Sequence, residues 1–109
     1  MDKKYFFVKL NPRRSDFAQT MTAEERSIMQ EHAMYWRGHM NQGKVIVFGP
    51  VFDPKGFFGM GVVAVETEEE LLGFIGKDPA GEINTYEHYE MRAVLPEQGA
   101  PSGRVASPE

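Results

Sequence analysis

His32 combines a reactive side chain with a position that favours its use in this 109-residue sequence. Histidine changes its charge near neutral pH, so it is the side chain best suited to proton transfer there. In a helical segment, His32 lies one turn after Ile28 and one turn before Trp36, which turns it towards a core or a cleft. A half-buried imidazole needs a polar partner, which is either a core carbonyl or hydroxyl or a catalytic group. The spacing alone leaves both interpretations open.

Asp78 is the carboxylate whose position most needs an explanation. It lies close to the C-terminus of a predicted short helix, where the helix dipole is mildly unfavourable for an anion. A specific partner would offset that cost, but Asp-Pro is also a common way to leave a helix for a turn. The other two histidines have ordinary explanations. The helix dipole favours an imidazolium at His39, and His88 falls at an exposed or interface position on a predicted strand.

Composition narrows the classes of protein and of site. The chain has 12 Lys and Arg against 16 Asp and Glu, a formal net charge of −4, whereas nucleic-acid-binding proteins usually present a basic face. The absence of cysteine excludes disulfides, thiolate zinc sites and cysteine nucleophiles. No serine nucleophile motif, Gly-rich phosphate cradle or metal-ligand spacing is recognisable. The sequence therefore predicts no metal site and no cofactor.

The length and the 41% hydrophobic content suit one compact domain. From Pro96 onward the sequence is rich in Pro, Gly and Ser and has almost nothing to bury, so we expect a domain over residues 1–95 and a disordered tail over 96–109. No apolar run is long enough for a signal peptide or a membrane span. We therefore expect a cytoplasmic protein that binds neither membranes nor nucleic acid.

Hydrophobic patterning predicts four strands and two helices in the order β-α-β-β-α-β. Capping boxes of the form Thr-x-x-Glu at Thr22 and Thr67 mark the helix starts, and Gly43 and Pro79 mark their ends. A loop is expected up to Met21. The predicted strands are 5–10, 45–48 (ended by Gly49-Pro50), 60–66 and 85–94.

This order is that of the ferredoxin-like split β-α-β fold (βαββαβ). In this α+β fold, right-handed crossovers place both helices on one face of a four-stranded antiparallel sheet. The strands are nevertheless apolar at both odd and even positions, as Tyr5 and Phe7 alternate with Phe6 and Val8. Uncovered, the helix-free face would be an apolar surface of a size that monomers rarely expose. Stacked RNA bases or a second copy of the sheet would cover it.

The stretch KGFFGMGVVAV, residues 55–65, begins like the RNA-reading strand of an RRM domain. An RRM requires an aromatic residue where this sequence has Gly59, and a small residue where it has Phe58. RNA binding is therefore the least favoured of the three functions, because base stacking depends on aromatic side chains and this strand lacks one at the required position. Phe52, Phe57 and Phe58 either pack over a core edge or form the wall of an apolar pocket.

Several of these residues, taken in order, resemble the YCII-related (YciI-like) family. They are His32 with Tyr35-Trp36 in the first helix, Gly43-Lys44-Val45 leading to Gly49-Pro50, and Asp78-Pro79 ahead of Tyr86-Glu87-His88. The resemblance spans residues 5–94, and it rests on the order and spacing of these motifs rather than on any one of them.

The resemblance implies a dimeric ferredoxin-like α+β barrel, in which the helix-free sheet faces of a homodimer meet. It also implies an active site built on a dyad of His32 and Asp78, with the carboxylate orienting the imidazole as general base or acid. One branch of the family comprises dehydrochlorinases of chlorinated hydroxyquinols, and related barrels include isomerases and lactone-processing enzymes. We therefore expect lyase- or isomerase-like proton transfer on a small apolar or cyclic substrate. The substrate pocket is expected to be lined by Tyr35, Trp36, Gly49, Pro50, Phe52, Phe57 and Phe58.

The alternative is a protein without catalytic activity. In that interpretation the chain is a dimeric module that binds a hydrophobic small molecule or serves a larger enzyme system, and the two residues of the dyad are structural. Loss of turnover on substitution of His32, without loss of folding, would separate the two functions.

Overall fold

A computed structural model describes residues 3–97 of the protein. The strands in that range form one antiparallel sheet in the order β2-β3-β1-β4, which confirms the ferredoxin-like α+β fold. The strands are β1 (Lys4–Pro12), β2 (Val45–Val51), β3 (Phe58–Val65) and β4 (Asn84–Met91), and the helices are α1 (Phe17–Thr20), α2 (Ala23–Asn41) and α3 (Glu68–Gly76). A short 3-10 helix, Pro79–Glu82, connects α3 to β4.

Helix α2 begins at the predicted capping box. The Thr22 hydroxyl accepts a hydrogen bond from the Glu25 amide, and the Glu25 carboxylate accepts one from the Thr22 amide, each at 3.0 Å. Arg14 donates to both oxygens of the same carboxylate, at 2.7 and 3.0 Å. These bonds, that of Arg14 foremost, lower the pKa of Glu25 to about 2. The preceding segment is not loop throughout, because the short helix α1 forms there and buries Phe17.

Helix α3 also begins where the sequence predicts. The Thr67 hydroxyl accepts a hydrogen bond from the Glu70 amide at 3.1 Å, but the Glu70 carboxylate accepts from the Glu66 amide, so only half of the predicted capping box forms. The 3-10 helix that follows starts at Asp78, whose carboxylate accepts a hydrogen bond from the Ala80 amide at 3.0 Å. That bond holds the Asp78 side chain inside the protein rather than at the end of α3.

None of the four strands has the predicted limits at both ends, and the largest differences are in β2 and β4. Strand β2 continues through Gly49-Pro50 to Val51. It can do so because β2 is an edge strand, where a proline is tolerated. Strand β4 ends at Met91 rather than at Val94.

The two faces of the sheet differ in what covers them. On the face that carries the helices, Phe6, Val8 and Leu10 of β1 are buried, and Trp36 of α2 is 1% exposed at the centre of the core. The other face has no helix, and Tyr89 of β4 is 53% exposed there. Its apolar side chains are Tyr5, Phe7, Val47, Val51, Phe58, Met60, Val62, Ala64, Tyr89 and Met91.

The sequence also predicts the C-terminal tail and the absence of a membrane span. The disordered tail predicted over residues 96–109 falls, from residue 98 onward, outside the described residues and stays a prediction. Between residues 3 and 97, no helix has the length and apolar character needed to cross a membrane.

Candidate functional site

His32 of α2 and Asp78, which follows α3, lie in direct contact. Nδ1 of His32 is 3.0 Å from each carboxylate oxygen of Asp78. One turn further along α2, the Trp36 indole donates a hydrogen bond to Oδ2 of Asp78 at 2.7 Å. The Ala80 amide donates to Oδ1 at 3.0 Å. The carboxylate therefore ties the middle of α2 to the segment that leads from α3 to β4.

Asp78 is a buried anion that is surrounded by donors. Its side chain is 0% exposed, and this burial is the largest single influence on its pKa, which it pushes upward. The hydrogen bond and the charge of His32, followed by the Ala80 amide and the Trp36 indole, outweigh burial and place the pKa of Asp78 below its ordinary value. The carboxylate is therefore ionised at neutral pH.

The imidazole of His32 is bound at one nitrogen and free at the other. In the neutral ring, Nδ1 must carry the proton in order to donate to Asp78, which leaves a lone pair on Nε2. Nε2 has no hydrogen-bond partner within residues 3–97, and the side chain is 12% exposed. This arrangement can accept a proton at Nε2, and the imidazolium so formed would lie against a buried carboxylate.

His32 lines a cavity of about 190 Å³ between α2 and the end of the sheet where β2 and β3 pair. The wall is otherwise apolar, with Met29, Trp36 and Phe48 contributing large side chains. Among the described residues of that wall, His32 alone has a side chain that can exchange a proton with a ligand. Because an engineered cavity of about 150 Å³ holds benzene, the space suits a ligand with a single ring.

The predicted pocket residues divide between this cavity and other places. Trp36, Gly49 and Pro50 line it together with His32. Tyr35 does not, because the Tyr35 hydroxyl donates to the Phe74 carbonyl at 2.7 Å and its ring lines a second cavity beside α3. Tyr35 therefore lies outside the wall of the His32 cavity, because it precedes Trp36 by one position in α2 and its side chain is turned towards α3.

The phenylalanines of the 52–58 segment also lie elsewhere. Phe57 and Phe58 line a surface groove near the end of β1. Phe52 is 69% exposed and packs on Phe57, with ring centroids 4.9 Å apart. These three rings therefore lie outside the wall of the His32 cavity. Phe52 and Phe57 belong to the connection between β2 and β3, and Phe58 begins β3 on the helix-free face, where Nζ of Lys9 is 4.5 Å from its ring centroid.

Tyr86 is a neighbour of the dyad that sequence reasoning does not single out as a site residue. It lies on β4 opposite Leu10 of β1, on the face that the helices cover. The Tyr86 hydroxyl is buried without a well-formed hydrogen bond to any described residue. Burial first, and then the negative charge of the nearby Asp78, raise the pKa of Tyr86. Strand alternation indicates the inward direction of this residue, but not which carboxylate it approaches.

The other two histidines lie apart from the dyad. Nδ1 of His39 is 3.0 Å from the Tyr35 carbonyl, to which it can donate. Nε2 of His88 is 3.1 Å from the Glu68 carboxylate, and the two side chains are 30% and 60% exposed. This exposed pair is a surface counterpart of the buried dyad. Over residues 3–97, no three His, Asp or Glu side chains are grouped closely enough to hold a metal ion.

A comparison with known families places both site residues and nearly all of the sheet in one matched region. The model of the YCII-related domain family matches residues 6–94. Two crystal structures of SnoaB, a cofactor-independent oxygenase from Streptomyces nogalater, are similar to this chain, with 18% identity over 89% of this chain and 100% of theirs. Their TM-scores are 0.48, for a mutant, and 0.47. No curated protein matches the sequence.

Proposed function

Because the chain belongs to the YCII-related domain family, we propose that it is a small enzyme that transfers a proton to or from a small cyclic substrate. His32 is the general base or acid, and Asp78 is the positioning residue that orients it. One observation carries the proposal: Nε2 of His32 has no hydrogen-bond partner among the described residues, and the ring lines an apolar cavity while Nδ1 is held by a buried carboxylate.

The proposed mechanism follows from the two nitrogens of the ring. Asp78 accepts the Nδ1 proton, which fixes the tautomer and makes Nε2 the basic atom. When Nε2 removes a proton from carbon, the positive charge that develops on the ring is stabilised by the Asp78 carboxylate. The same nitrogen can then return the proton at another atom, which is isomerisation, or keep it while a leaving group departs, which is elimination. Both are lyase- or isomerase-like reactions.

The cavity limits the substrate class. Its volume of about 190 Å³ suits one ring, and its wall is largely apolar. Few polar side chains are available to bind substituents, so we infer that the substrate carries its acidic C–H bond on or next to an apolar ring. The alternative function is that of a small-molecule-binding module without catalysis. It is favoured by the hydrogen bonds through which Asp78 connects α2 to the 3-10 helix, because these give the carboxylate a structural role.

The test uses substrates that represent both reaction types. Chloride release from a chlorinated hydroxyquinol measures elimination, and deuterium uptake from D₂O by cyclic ketones and enol lactones, followed by NMR, measures proton abstraction. We expect His32→Gln to lower the rate of whichever of these two reactions the wild type catalyses by about 10²- to 10⁴-fold, the usual contribution of a general base. The matched control is His88→Gln, which removes a histidine from the exposed pair with Glu68 and should leave the rate unchanged. If the wild type and His32→Gln, both folded, act equally on every compound, the binding-module function is correct.

We also propose that the protein is a homodimer joined through the helix-free face of the sheet. That face carries the apolar side chains named above, and Val47 and Tyr89 are 48% and 53% exposed on it. A second copy of the same face would remove this surface from water, as closed two-fold symmetry allows.

The dimer is tested by light scattering, which should give a mass of twice 12.4 kDa. The variant Val62→Lys places a charge in the middle of the helix-free face and should yield monomers, because a buried unpaired charge is costly. The matched control is Met34→Lys, on the exposed side of α2, where the side chain is 68% exposed. A monomeric wild type, or equal behaviour of the two variants, would contradict this arrangement.

A further inference from the structure

A second cavity, of about 210 Å³, lies between the C-terminal half of α2, helix α3 and strand β3. We name it the lysine cavity, after Lys44 and Lys77 in its wall. Among the described residues, it shares no lining residue with the cavity of His32. We propose that the lysine cavity is a binding site for a small organic anion with a single flat ring.

The inner part of the lysine cavity is apolar. It is lined by Val63 and Val65 of β3, which are 1% and 2% exposed. The rings of Tyr35 and Phe74 also line it, stacked with centroids 5.2 Å apart and 13° between their planes. A flat ring that enters this space can pack on such surfaces and lose its contact with water. The volume accommodates one ring, by the same comparison with benzene.

Cationic and donor groups lie around this apolar part. Lys44 and Lys77 both line the cavity, and Lys77 forms no ion pair with any residue between 3 and 97. Because Nδ1 of His39 is engaged with a backbone carbonyl, Nε2 is left for a ligand. These groups are concentrated here in a chain whose net charge is −4. They would give a carboxylate, sulfonate or phenolate charge-assisted hydrogen bonds.

Glu70 is the acidic residue of this wall, and its carboxylate is already engaged. One oxygen accepts a hydrogen bond from the Glu66 amide at 3.0 Å, and the other lies 3.4 Å from Nζ of Lys44. Lys44 and Glu70 are 41% and 34% exposed, and partly exposed pairs of this kind contribute little. A bound anion can therefore share Lys44 without a large loss.

Gly73 supports the assignment independently. It lies in the interior of α3, where glycine is less favourable than alanine, and it lines the lysine cavity. A Cβ atom at this position would meet no atom within 4 Å, so no packing contact requires glycine. The missing side chain leaves the space beside α3 open to a ligand.

Benzoate is the probe for this site, and benzamide is its uncharged counterpart of the same shape. Trp36 is the only tryptophan of the chain and packs on Phe74, with ring centroids 4.8 Å apart, so its fluorescence reports binding. The NMR signals of the His39 and His32 rings report which cavity is filled. We expect saturable benzoate binding with a Kd in about the millimolar range or tighter. The His39 signals should shift while those of His32 stay in place, and benzamide should bind at least about tenfold more weakly.

Two variants sharpen the test. Lys77→Met should weaken benzoate binding at least about fivefold, whereas Lys55→Met, in the distant 52–58 segment, should not change the Kd. Gly73→Leu should fill the opening and abolish binding, while thermal unfolding shows a retained fold, because leucine favours a helix. Lack of saturable binding, shifts confined to His32, equal affinity for benzamide, or unchanged binding in Lys77→Met would each overturn the proposal. None of these outcomes depends on His32 being catalytic.

Discussion

The Asp78→Asn variant should have a free energy of unfolding about 3 kcal/mol lower than that of the wild type, because the buried side chain at position 78 would no longer accept a hydrogen bond from each donor around it. Three donors converge on the carboxylate: Nδ1 of His32, the indole of Trp36 and the amide of Ala80. Asparagine offers one oxygen and turns an NH₂ group towards at least one of these donors. The His32 ring also loses the charge that fixes its tautomer, so we expect its proton-transfer activity to fall with its stability.

Urea unfolding at pH 7 measures the decrease in the free energy of unfolding, and ring ¹⁵N chemical shifts measure the tautomer of His32 directly. The matched control is Glu68→Gln, which removes the carboxylate of the exposed pair with His88. That change should cost less than about 1 kcal/mol, as surface pairs do. If the free energy of unfolding falls by the same small amount in both variants, the buried dyad does not exist in solution.

The stability of the wild type should also depend on pH through Asp78. The pKa of Asp78 is lower in the folded protein than its ordinary value of 3.8. The unfolded chain therefore takes up this proton first as the pH falls, and the stabilisation is present above about pH 4 and lost as the pH falls through the folded pKa. The difference in unfolding free energy between the wild type and Asp78→Asn should narrow over that acidic range.

After Asp78→Asn, the Gly61→Ala variant should show the largest decrease in the free energy of unfolding. A Cβ atom at position 61 would lie 2.3 Å from Cζ3 of Trp36 and 2.9 Å from Cη2. The strand cannot yield easily, since Gly61 pairs with Val8 in the centre of the sheet, so the indole must move. Overpacking of this kind typically costs about 1–3 kcal/mol. Because Trp36 also donates to Asp78, we expect the altered indole to disturb the dyad and lower activity.

Denaturant unfolding and the emission spectrum of Trp36 test this expectation. The matched control is Gly59→Ala in the same strand, where the nearest atom to an added Cβ is the Leu10 side chain at 3.4 Å. That contact is an ordinary one, so the control should lose less than about 1 kcal/mol and keep the native emission spectrum. Equal losses in the two variants would show that close packing of Trp36 on Gly61 is not what requires glycine at that position.

The fold could be predicted from the sequence because its signals are local. The capping box of Thr22 and Glu25 satisfies amides within one turn, so it marks the start of α2 wherever that helix packs. Alternation along β1 likewise indicates two apolar faces before any partner strand is known. With four strands and two main helices in order, right-handed crossovers leave few arrangements, and the observed sheet order is one of them.

The extent of β2 needed a different kind of information. A Gly-Pro pair predicts a strand end by its local preferences, yet Pro50 lies within β2 because this strand is at the edge of the sheet. The position of a strand in the sheet is set by pairing with distant segments, and nothing within a few residues of Pro50 reveals it.

By itself, the sequence determined which residues could carry protons and which way several of them face. It left His32 and Asp78 as separate candidates, joined only by family resemblance, because they are 46 positions apart and their contact depends on how α2 packs on the segment after α3. Tertiary structure alone decided that Tyr86 approaches Asp78 and that the phenylalanines of the 52–58 segment lie away from His32. Side-chain direction follows from local periodicity, whereas a cavity is formed by surfaces distant along the chain, whose approach is set by packing of the whole core.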